Sequence, residues 1–256
     1  MSNYHHLFVT IALVALLAGK SLAITCYPGP IAHRSVRKEE CMRAISQIVY
    51  DADAHQTLNP LSKQVDYTYG ECNISIINTS GIPINKAQVK QRFSRILDQC
   101  PNTGGFDFDQ TYFHVGMRSL DRYKSWDSDF PARLPTCAVA DRAAKLSPDD
   151  CIKAFSDIPT DAHGRLLDQD NRRTHSVELT SKTCTLAVYT IDFSKLDVTK
   201  AQLEDDFLKT LDLCDKKCGV IRIEGGAEGP NGRVYLSFRH VTADKSCTIR
   251  FSPLLN

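Results

Sequence analysis

The sequence has no run of about 20 apolar residues, the length that a membrane-spanning helix needs. Its longest apolar run, from Leu7 to Ala18, is shorter, and Ser21 and Ala23 follow it at the spacing of a signal-peptidase site. This pattern predicts a cleaved secretory signal peptide and a mature, secreted chain without a stable membrane span. A membrane anchor is the alternative, and the shortness of the run disfavours it.

The sequence also lacks an excess of charge of either sign. Removing Lys20, which lies in the predicted signal peptide, from the 31 basic residues leaves 30, equal to the 30 acidic residues. Such a balance gives no electrostatic reason to expect nucleic acid or an anionic membrane as the main partner.

Catalytic and cofactor motifs are absent as well. No G-x-S-x-G, H-E-x-x-H, P-loop or dinucleotide fingerprint occurs. The chain has no C-x-x-C pair, and the closest cysteines, Cys214 and Cys218, lack further ligands at zinc spacing. These absences favour a protein that is not an enzyme and uses no cofactor or metal.

Cysteine, in contrast, is plentiful: ten residues, all after the predicted signal peptide, predict five disulfides. Two sets of four recur with similar spacing: Cys26, Cys41, Cys72 and Cys100, then Cys137, Cys151, Cys184 and Cys214. Each set allows three pairings, and the sequence leaves these open. Cys218 and Cys247 have no counterpart in the first set and are predicted to pair with each other.

The sequence around the cysteines repeats too. The triplet 86–88 (Lys-Ala-Gln) recurs at 200–202, and apolar residues follow every three or four positions in both copies. Each segment is therefore predicted to form an amphipathic helix. Asn85 and Thr199 stand at the N-cap, each with a glutamine three residues later, as in a capping box.

An earlier helix in each copy carries an inward cysteine, Cys41 or Cys151, and alternating apolar residues between the helices predict strands. We therefore predict an α+β fold of two tandem two-layer α/β sandwiches, each with a four-stranded antiparallel sheet and two helices. The predicted organisation is a signal peptide (1–23), module 1 (24–120), a linker (121–135) and module 2 (136–256).

This order of elements resembles the killer toxin of smut fungi and the secreted fungal effectors that share its two-helix, four-strand sandwich. The residues that carry the resemblance are Cys41, Gly70, Cys72, Ile74, Ile76, Cys100 and Gly105, then Cys151, Cys184, Leu186, Val188, Cys214 and Gly219. The pattern is also similar to necrosis-inducing extracellular effectors of plant-pathogenic fungi. The resemblance implies a toxin or host-targeting virulence effector without catalysis. We expect a monomer that binds a host or competitor-cell surface protein or glycan.

One feature departs from the smut toxin, whose precursor is cut into subunits at dibasic sites. The predicted linker has no dibasic pair. Arg172-Arg173 lies in a polar loop of module 2, where it is either a processing site or, as we favour, an ordinary solvated loop.

Two Asp-Ala-His triplets are the candidate chemical groups. Asp53 precedes His55, and Asp161 precedes His163, each after the first helix of its copy. A carboxylate beside an imidazole can serve as an acid–base or metal-binding unit, which would suit a secreted hydrolase. No nucleophile or third metal ligand accompanies the two triplets. We therefore favour a structural role, in which each imidazole interacts with the dipole at the C-terminus of a helix.

A secreted module that binds cell-wall glycan or protein is the alternative function. It requires an exposed aromatic platform, for which Tyr112, Phe113 and Tyr235 are candidates, although we favour core and cross-strand positions for these residues. Trp126, in the predicted linker, either anchors a partner or packs between the modules.

Two glycosylation sequons begin at Asn73 and Asn78. On a chain that passes through the secretory route, either asparagine is a candidate for modification, and the chain is then a glycoprotein.

Overall fold

The computed structural model describes residues 24–29, 34–120, 124–138 and 145–242. The predicted signal peptide and Cys247 lie outside these ranges. Within them the fold is α+β, with two antiparallel sheets and four helices, which confirms the predicted class. No helix among the described residues is long and apolar enough to cross a membrane.

Module 1 contains two helices beside one sheet. The helices are α1 (Lys38–Ser46) and α2 (Lys86–Gln99), and the strands are β1 (Thr25–Cys26), β2 (Gln64–Tyr69), β3 (Cys72–Ile77), β4 (Gly105–Phe108) and β5 (Tyr112–Met117). The strand order is β1-β4-β5-β3-β2. The four strands predicted from alternation are present, and β1 adds a fifth, two-residue strand at one edge.

Module 2 repeats this topology. The helices are α3 (Pro148–Ser156) and α4 (Lys200–Cys214), and the strands are β6 (Thr136–Cys137), β7 (Ser176–Ser181), β8 (Cys184–Thr190), β9 (Gly219–Ile223) and β10 (Val234–His240). Its order, β6-β9-β10-β8-β7, is that of module 1 element for element. The shared topology supports the duplication inferred from the cysteine spacing.

The second helix of each module begins at a capping box, as predicted. The Asn85 side chain accepts a hydrogen bond from the Gln88 backbone N at 2.9 Å, and Gln88 Oε1 accepts one from the Asn85 backbone N at 2.9 Å. Thr199 and Gln202 repeat the arrangement. Both helices bury an apolar face against their sheet; its members are Val89, Phe93, Ile96 and Leu97, then Leu203, Phe207 and Leu211.

Two disulfides join helix to sheet in each module, with one connectivity in both. In module 1, Cys41 of α1 pairs with Cys72 of β3, and Cys26 of β1 pairs with Cys100 at the end of α2. Module 2 pairs Cys151 with Cys184 and Cys137 with Cys214. A crosslink that closes a loop of this length stabilises the fold by about 3–5 kcal/mol.

The fifth predicted disulfide falls partly outside the described residues. Cys218 is disulfide-bonded and buried, and it lies immediately before β9. Its predicted partner, Cys247, is not among the described residues, so this pairing stays a prediction.

The two modules meet at a set of buried polar side chains, here called the polar joint: Asp192, Asn231 and Arg233 of module 2. Asn231 Nδ2 donates to the Val49 backbone O at 2.8 Å, and Asn231 Oδ1 accepts from the Val49 backbone N at 2.9 Å. Ser62 Oγ donates to Asp192 Oδ2 at 2.7 Å. These bonds fix module 2 against the α1–β2 region of module 1.

Candidate binding surface

Five ring side chains cluster on the outer side of the module 1 sheet, opposite the helices. They form the surface that we call the aromatic face: Tyr27, Phe106, Phe108, Tyr112 and His114. Neighbouring ring centroids are 5.6 Å apart for Phe106 and Tyr112, and 5.6 Å apart for Tyr27 and His114. Tyr112 and His114 lie parallel, with 6.3 Å between their centroids.

Strand alternation places these rings together. In β5, Phe113 and Val115 point into the core and are fully buried, so Tyr112 and His114 point outward. The β4–β5 register sets Phe106 opposite His114 and Phe108 opposite Tyr112. Four rings on two adjacent strands therefore occupy one side of the sheet, and Tyr27, just after β1, adds the fifth.

The hairpin below the rings is anchored to α2 by a buried ion pair. Arg92 Nε lies 2.9 Å from Asp107 Oδ2, and the Asp107 side chain is fully buried. The Arg92 guanidinium also lies over the Phe113 ring, 4.4 Å from its centroid. This pair on the inner side of the sheet holds β4 and β5 in place, so the outer rings sit on a rigid support.

Gly116 continues the outward positions of β5 and leaves room for His114. A Cβ at residue 116 would lie 2.7 Å from Cε1 and Nε2 of the imidazole, so the ring occupies the space above the glycine. Any larger residue at this position would force His114 to move, which makes Gly116 part of the geometry of the aromatic face.

The aromatic face carries no formal charge at neutral pH. Burial lowers the pKa of His114 below its ordinary value of 6.5, against an opposing effect of the Asp66 carboxylate. Burial and a hydrogen bond with the Tyr112 side chain raise the pKa of the Tyr27 phenol. Both groups are therefore neutral at pH 7, and the phenylalanines are neutral at any pH.

The corresponding face of module 2 is covered by the linker. The sheet registers align Tyr112 with Tyr235, and Phe106 with Val220. Trp126 stacks on Tyr235 with centroids 5.4 Å apart, and Tyr235 and Val220 are buried. In module 1 the aromatic face has no such cover among the described residues: Phe108 is 65% exposed, and the other four rings are half-buried.

The aromatic platform, given as the alternative, is present only in part, and the core position favoured for its candidates is confirmed for Phe113 and Tyr235. Of its three candidates, Tyr112 belongs to the aromatic face, but Phe113 lies in the core and Tyr235 lies beneath Trp126. Sequence reasoning missed Tyr27, Phe106, Phe108 and His114. The alternation Phe106-x-Phe108 and Tyr112-x-His114 was the available signal, since residues two apart share one side of a strand.

Trp126 packs on module 2 and holds the linker there. Its ring is also 5.8 Å from that of Tyr189, and its backbone O accepts a hydrogen bond from Tyr235 Oη at 3.0 Å. Arg222 Nη1 donates to the Ser128 backbone O at 3.2 Å, which fixes the next part of the linker. The indole thus serves as a cover for the module 2 sheet.

The two Asp-Ala-His triplets have their carboxylates bound to their own loops. Asp53 accepts hydrogen bonds from the hydroxyl and backbone N of Thr57, which lower its pKa. Asp161 loses some hydration, but hydrogen bonds from Arg165 dominate and lower its pKa to about 2. His55 and His163 are exposed on the same loops. In neither triplet does the geometry orient an imidazole for acid–base work.

The two sequon asparagines differ in environment. Asn73, on the outer side of β3, is half-buried and donates from Nδ2 to Asp66 Oδ1 and Thr68 Oγ1, both at 3.1 Å. Asn78 is only 5% exposed and bridges both backbone groups of Ile82. Among the described residues, no cluster of His, Cys, Asp and Glu is arranged to hold a metal ion.

Comparison with known proteins gives no family. No protein-family description matches the chain, and no curated protein matches it. Solved structures similar to this chain include the tandem DUF26 ectodomains of the Arabidopsis thaliana cysteine-rich receptor-like proteins PDLP8 and PDLP5. They are 9% and 10% identical to this chain and cover 85% of it in each case, over 96% and 98% of their own lengths. The TM-scores are 0.27 and 0.26, too low to carry a functional argument.

Proposed function

We propose that this chain is a secreted, non-catalytic binding protein that attaches to an extracellular target through the aromatic face of module 1. The observation that carries the proposal is the difference between the two copies. One copy of the duplicated sheet face is covered by the protein's own linker, whereas the other presents five uncharged rings without cover from the described residues. Exposed aromatic patches of this kind mark interaction sites.

Two features support secretion. The predicted signal peptide directs the chain into an oxidising route, and the structure pairs the cysteines as that route requires. A non-catalytic role is supported by the Asp-Ala-His triplets, whose carboxylates stabilise loops.

The killer-toxin-like effector is the more specific form of this proposal. Its support is the resemblance in element order: after a two-residue edge strand, both modules run helix-strand-strand-helix-strand-strand. Such an effector would bind a host or competitor cell through the aromatic face and then harm it. The plain binding module would attach to the same cell without harming it.

The test uses fluorescently labelled mature protein (residues 24–256) on fungal cells and leaf tissue. The variant Phe108→Ala/Tyr112→Ala removes two rings of the aromatic face. The matched control, Leu208→Ala/Leu213→Ala, removes two exposed apolar side chains from α4 of module 2. We expect the first variant to lose most cell binding and the control to retain it.

Ion leakage and viability are recorded on the same samples. Cell death that requires intact disulfides and the aromatic face supports the effector form, and binding without death supports the plain binding module. Cell binding that is equal for wild type and for Phe108→Ala/Tyr112→Ala would overturn the proposal.

A further inference from the structure

We infer that the ligand of the aromatic face is an uncharged glycan chain, an inference that rests on the proposed function. Aromatic rings present a negative π-face, which attracts the weakly positive C–H groups on the flat side of a sugar ring. The rings of Tyr27, Phe106, Tyr112 and His114 adjoin one another at centroid distances of 5.6–6.3 Å. These four contacts link the rings into one compact patch, on which sugar units can stack.

The absence of charge selects the class of glycan. An anionic ligand such as nucleic acid or an acidic polysaccharide requires lysine or arginine at the contact. No lysine or arginine occupies an outward position of β3, β4 or β5, and burial keeps His114 neutral at pH 7. The nearby Arg92 lies on the other side of the sheet, where it is paired with Asp107. An uncharged carbohydrate is the ligand that this surface complements.

Polar groups within the aromatic face suit the same ligand. The phenols of Tyr27 and Tyr112 and the ring nitrogens of His114 lie among the rings, and each can exchange hydrogen bonds with sugar hydroxyls. Tyr27 and Tyr112 already contact each other. Half-buried rings also lose little conformational freedom when a ligand binds, which favours affinity.

The small area of the aromatic face and its scarcity of protruding side chains disfavour two other ligands, a second copy of the chain and a membrane. A standard protein interface buries about 800 Å² per partner, whereas five rings that are mostly half-buried offer on the order of a few hundred Å². A second copy of the chain is therefore a poor match. Membrane insertion needs protruding apolar groups flanked by basic residues, and here only Phe108 is mostly exposed.

The experiment titrates mature protein with uncharged hexasaccharides, namely those of chitin, cellulose, β-1,3-glucan and mannan, and with oligogalacturonate as the anionic control. Binding is measured by isothermal titration calorimetry. We expect at least one uncharged oligosaccharide to bind, with an affinity that changes little between ~50 mM and ~500 mM salt. Oligogalacturonate should not bind.

Three variants connect the ligand to the aromatic face. Phe108→Ala changes an exposed ring and should leave the fold intact, and Tyr112→Ala removes a central ring. Gly116→Ala keeps every ring but displaces His114. We expect a loss of affinity of about 10-fold for Tyr112→Ala, the size of a base–aromatic stacking loss, and smaller losses for the other two. Leu208→Ala/Leu213→Ala should bind as wild type does.

The outcomes separate the two proposals. If the aromatic face is needed for cell attachment but no uncharged oligosaccharide binds or competes, the glycan inference fails and the proposed function stands. Binding through the same face to oligogalacturonate, to phosphatidylcholine vesicles or to a second copy in sedimentation velocity likewise overturns the inference. If cell attachment does not need the aromatic face, the proposed function itself fails.

Discussion

At the residue scale, the Asn78 side chain closes the turn that follows β3. Its Nδ2 donates to the Ile82 backbone O at 2.8 Å, and its Oδ1 accepts from the Ile82 backbone N at 3.0 Å. Both amide groups are thus used inside the fold. A glycan on Nδ2 would remove one of these bonds and would have to fit where the side chain is 5% exposed.

We therefore predict that Asn78 is unglycosylated and structural. Asn78→Ala should lower the free energy of unfolding by about 1–3 kcal/mol, because Ile82 loses two partners. Ser80→Ala destroys the same sequon but keeps the asparagine, so its stability should match that of wild type in urea denaturation. A glycan found at Asn78 by mass spectrometry of secreted protein would contradict the prediction.

The Asp192 carboxylate is fully buried at the polar joint. It accepts hydrogen bonds from Ser62 Oγ of module 1 at 2.7 Å and from Ser194 Oγ at 2.7 Å. Gly229 and Gly232 pass so close that a Cβ at either would lie within 2.6 Å of a carboxylate oxygen. Burial raises the pKa of Asp192 above its ordinary 3.8, although the serine hydrogen bonds oppose this effect.

This environment predicts a pH dependence with a definite sign. Because the folded state holds the Asp192 proton more tightly than the unfolded state, the contribution of Asp192 to stability is greatest below pH 3.8. It falls as the pH rises through the folded-state pKa. Asp53 and Asp161, whose pKa values are lowered, contribute the opposite slope.

Asp192→Asn removes this titration while keeping the shape of the side chain. The difference in unfolding free energy between wild type and Asp192→Asn should shift in favour of the variant as the pH rises from about 4 to 7. Chemical denaturation at a series of pH values measures it, and the other carboxylates cancel in the difference. A difference that stays constant with pH would show that Asp192 titrates normally.

At the element scale, the helices and the longer strands were predictable because short stretches of sequence determine them. Capping boxes at Asn85 and Thr199 predict the starts of two helices, and the alternation of Val65, Tyr67 and Tyr69 predicts a strand. The two-residue strands β1 and β6 were missed because two residues show no period. The disulfide pairing was open because it depends on which elements become neighbours, and that is a property of the assembled sheet.

The candidate site was less predictable for a related reason. Alternation indicates that Tyr112 and Phe113 lie on opposite sides of β5, but it does not say which side a linker will cover. That choice depends on Trp126, which lies over module 2, whereas no described residue covers the equivalent side of module 1 in this way. Contacts between segments far apart in the sequence therefore determine which sheet face is exposed, and alternation within one strand does not reveal them.

The loop between α3 and β7 contains the dibasic pair in a folded turn. Asp168 Oδ1 accepts from the Arg172 backbone N at 2.9 Å, and the Asp168 backbone N donates to the Arg172 O at 3.0 Å. The Arg173 guanidinium donates to the Leu196 backbone O at 2.7 Å and to Glu228 at 2.9 Å. A protease that needs an extended segment must first open these bonds.

We therefore predict that the native chain resists a dibasic-specific endoprotease at Arg172-Arg173. Asp168→Ala keeps both arginines but removes a charged acceptor worth about 1.5–3 kcal/mol, so cleavage should accelerate roughly 10-fold or more. The reduced, unfolded chain supplies the positive control. If the native protein is cut as fast as Asp168→Ala, the prediction is wrong and Arg172-Arg173 can serve as a processing site.

At the scale of the whole molecule, the polar joint makes the tandem modules one structural unit. The Asn231 amide serves three module 1 groups, since Tyr67 Oη also donates to Asn231 Oδ1, at 3.0 Å. Arg233 Nη2 donates to the Asp66 backbone O at 2.6 Å, with its guanidinium 5.0 Å from the Tyr67 ring centroid. Buried polar networks of this kind hold two surfaces in one register, because a shifted register leaves their members unpaired.

Coupling through Asn231 is open to a direct test. Asn231→Ala leaves the backbone N and O of Val49 and the Tyr67 hydroxyl without partners in a buried place, at a cost of about 1–3 kcal/mol for each group that water does not reach. Wild type should unfold in a single calorimetric transition, whereas Asn231→Ala should unfold in two, one for each module. Gln169→Ala, which removes an exposed amide from module 2, should behave as wild type does. If Asn231→Ala still unfolds in one transition at the wild-type temperature, the hydrogen bonds of Asn231 contribute little to the coupling of the modules.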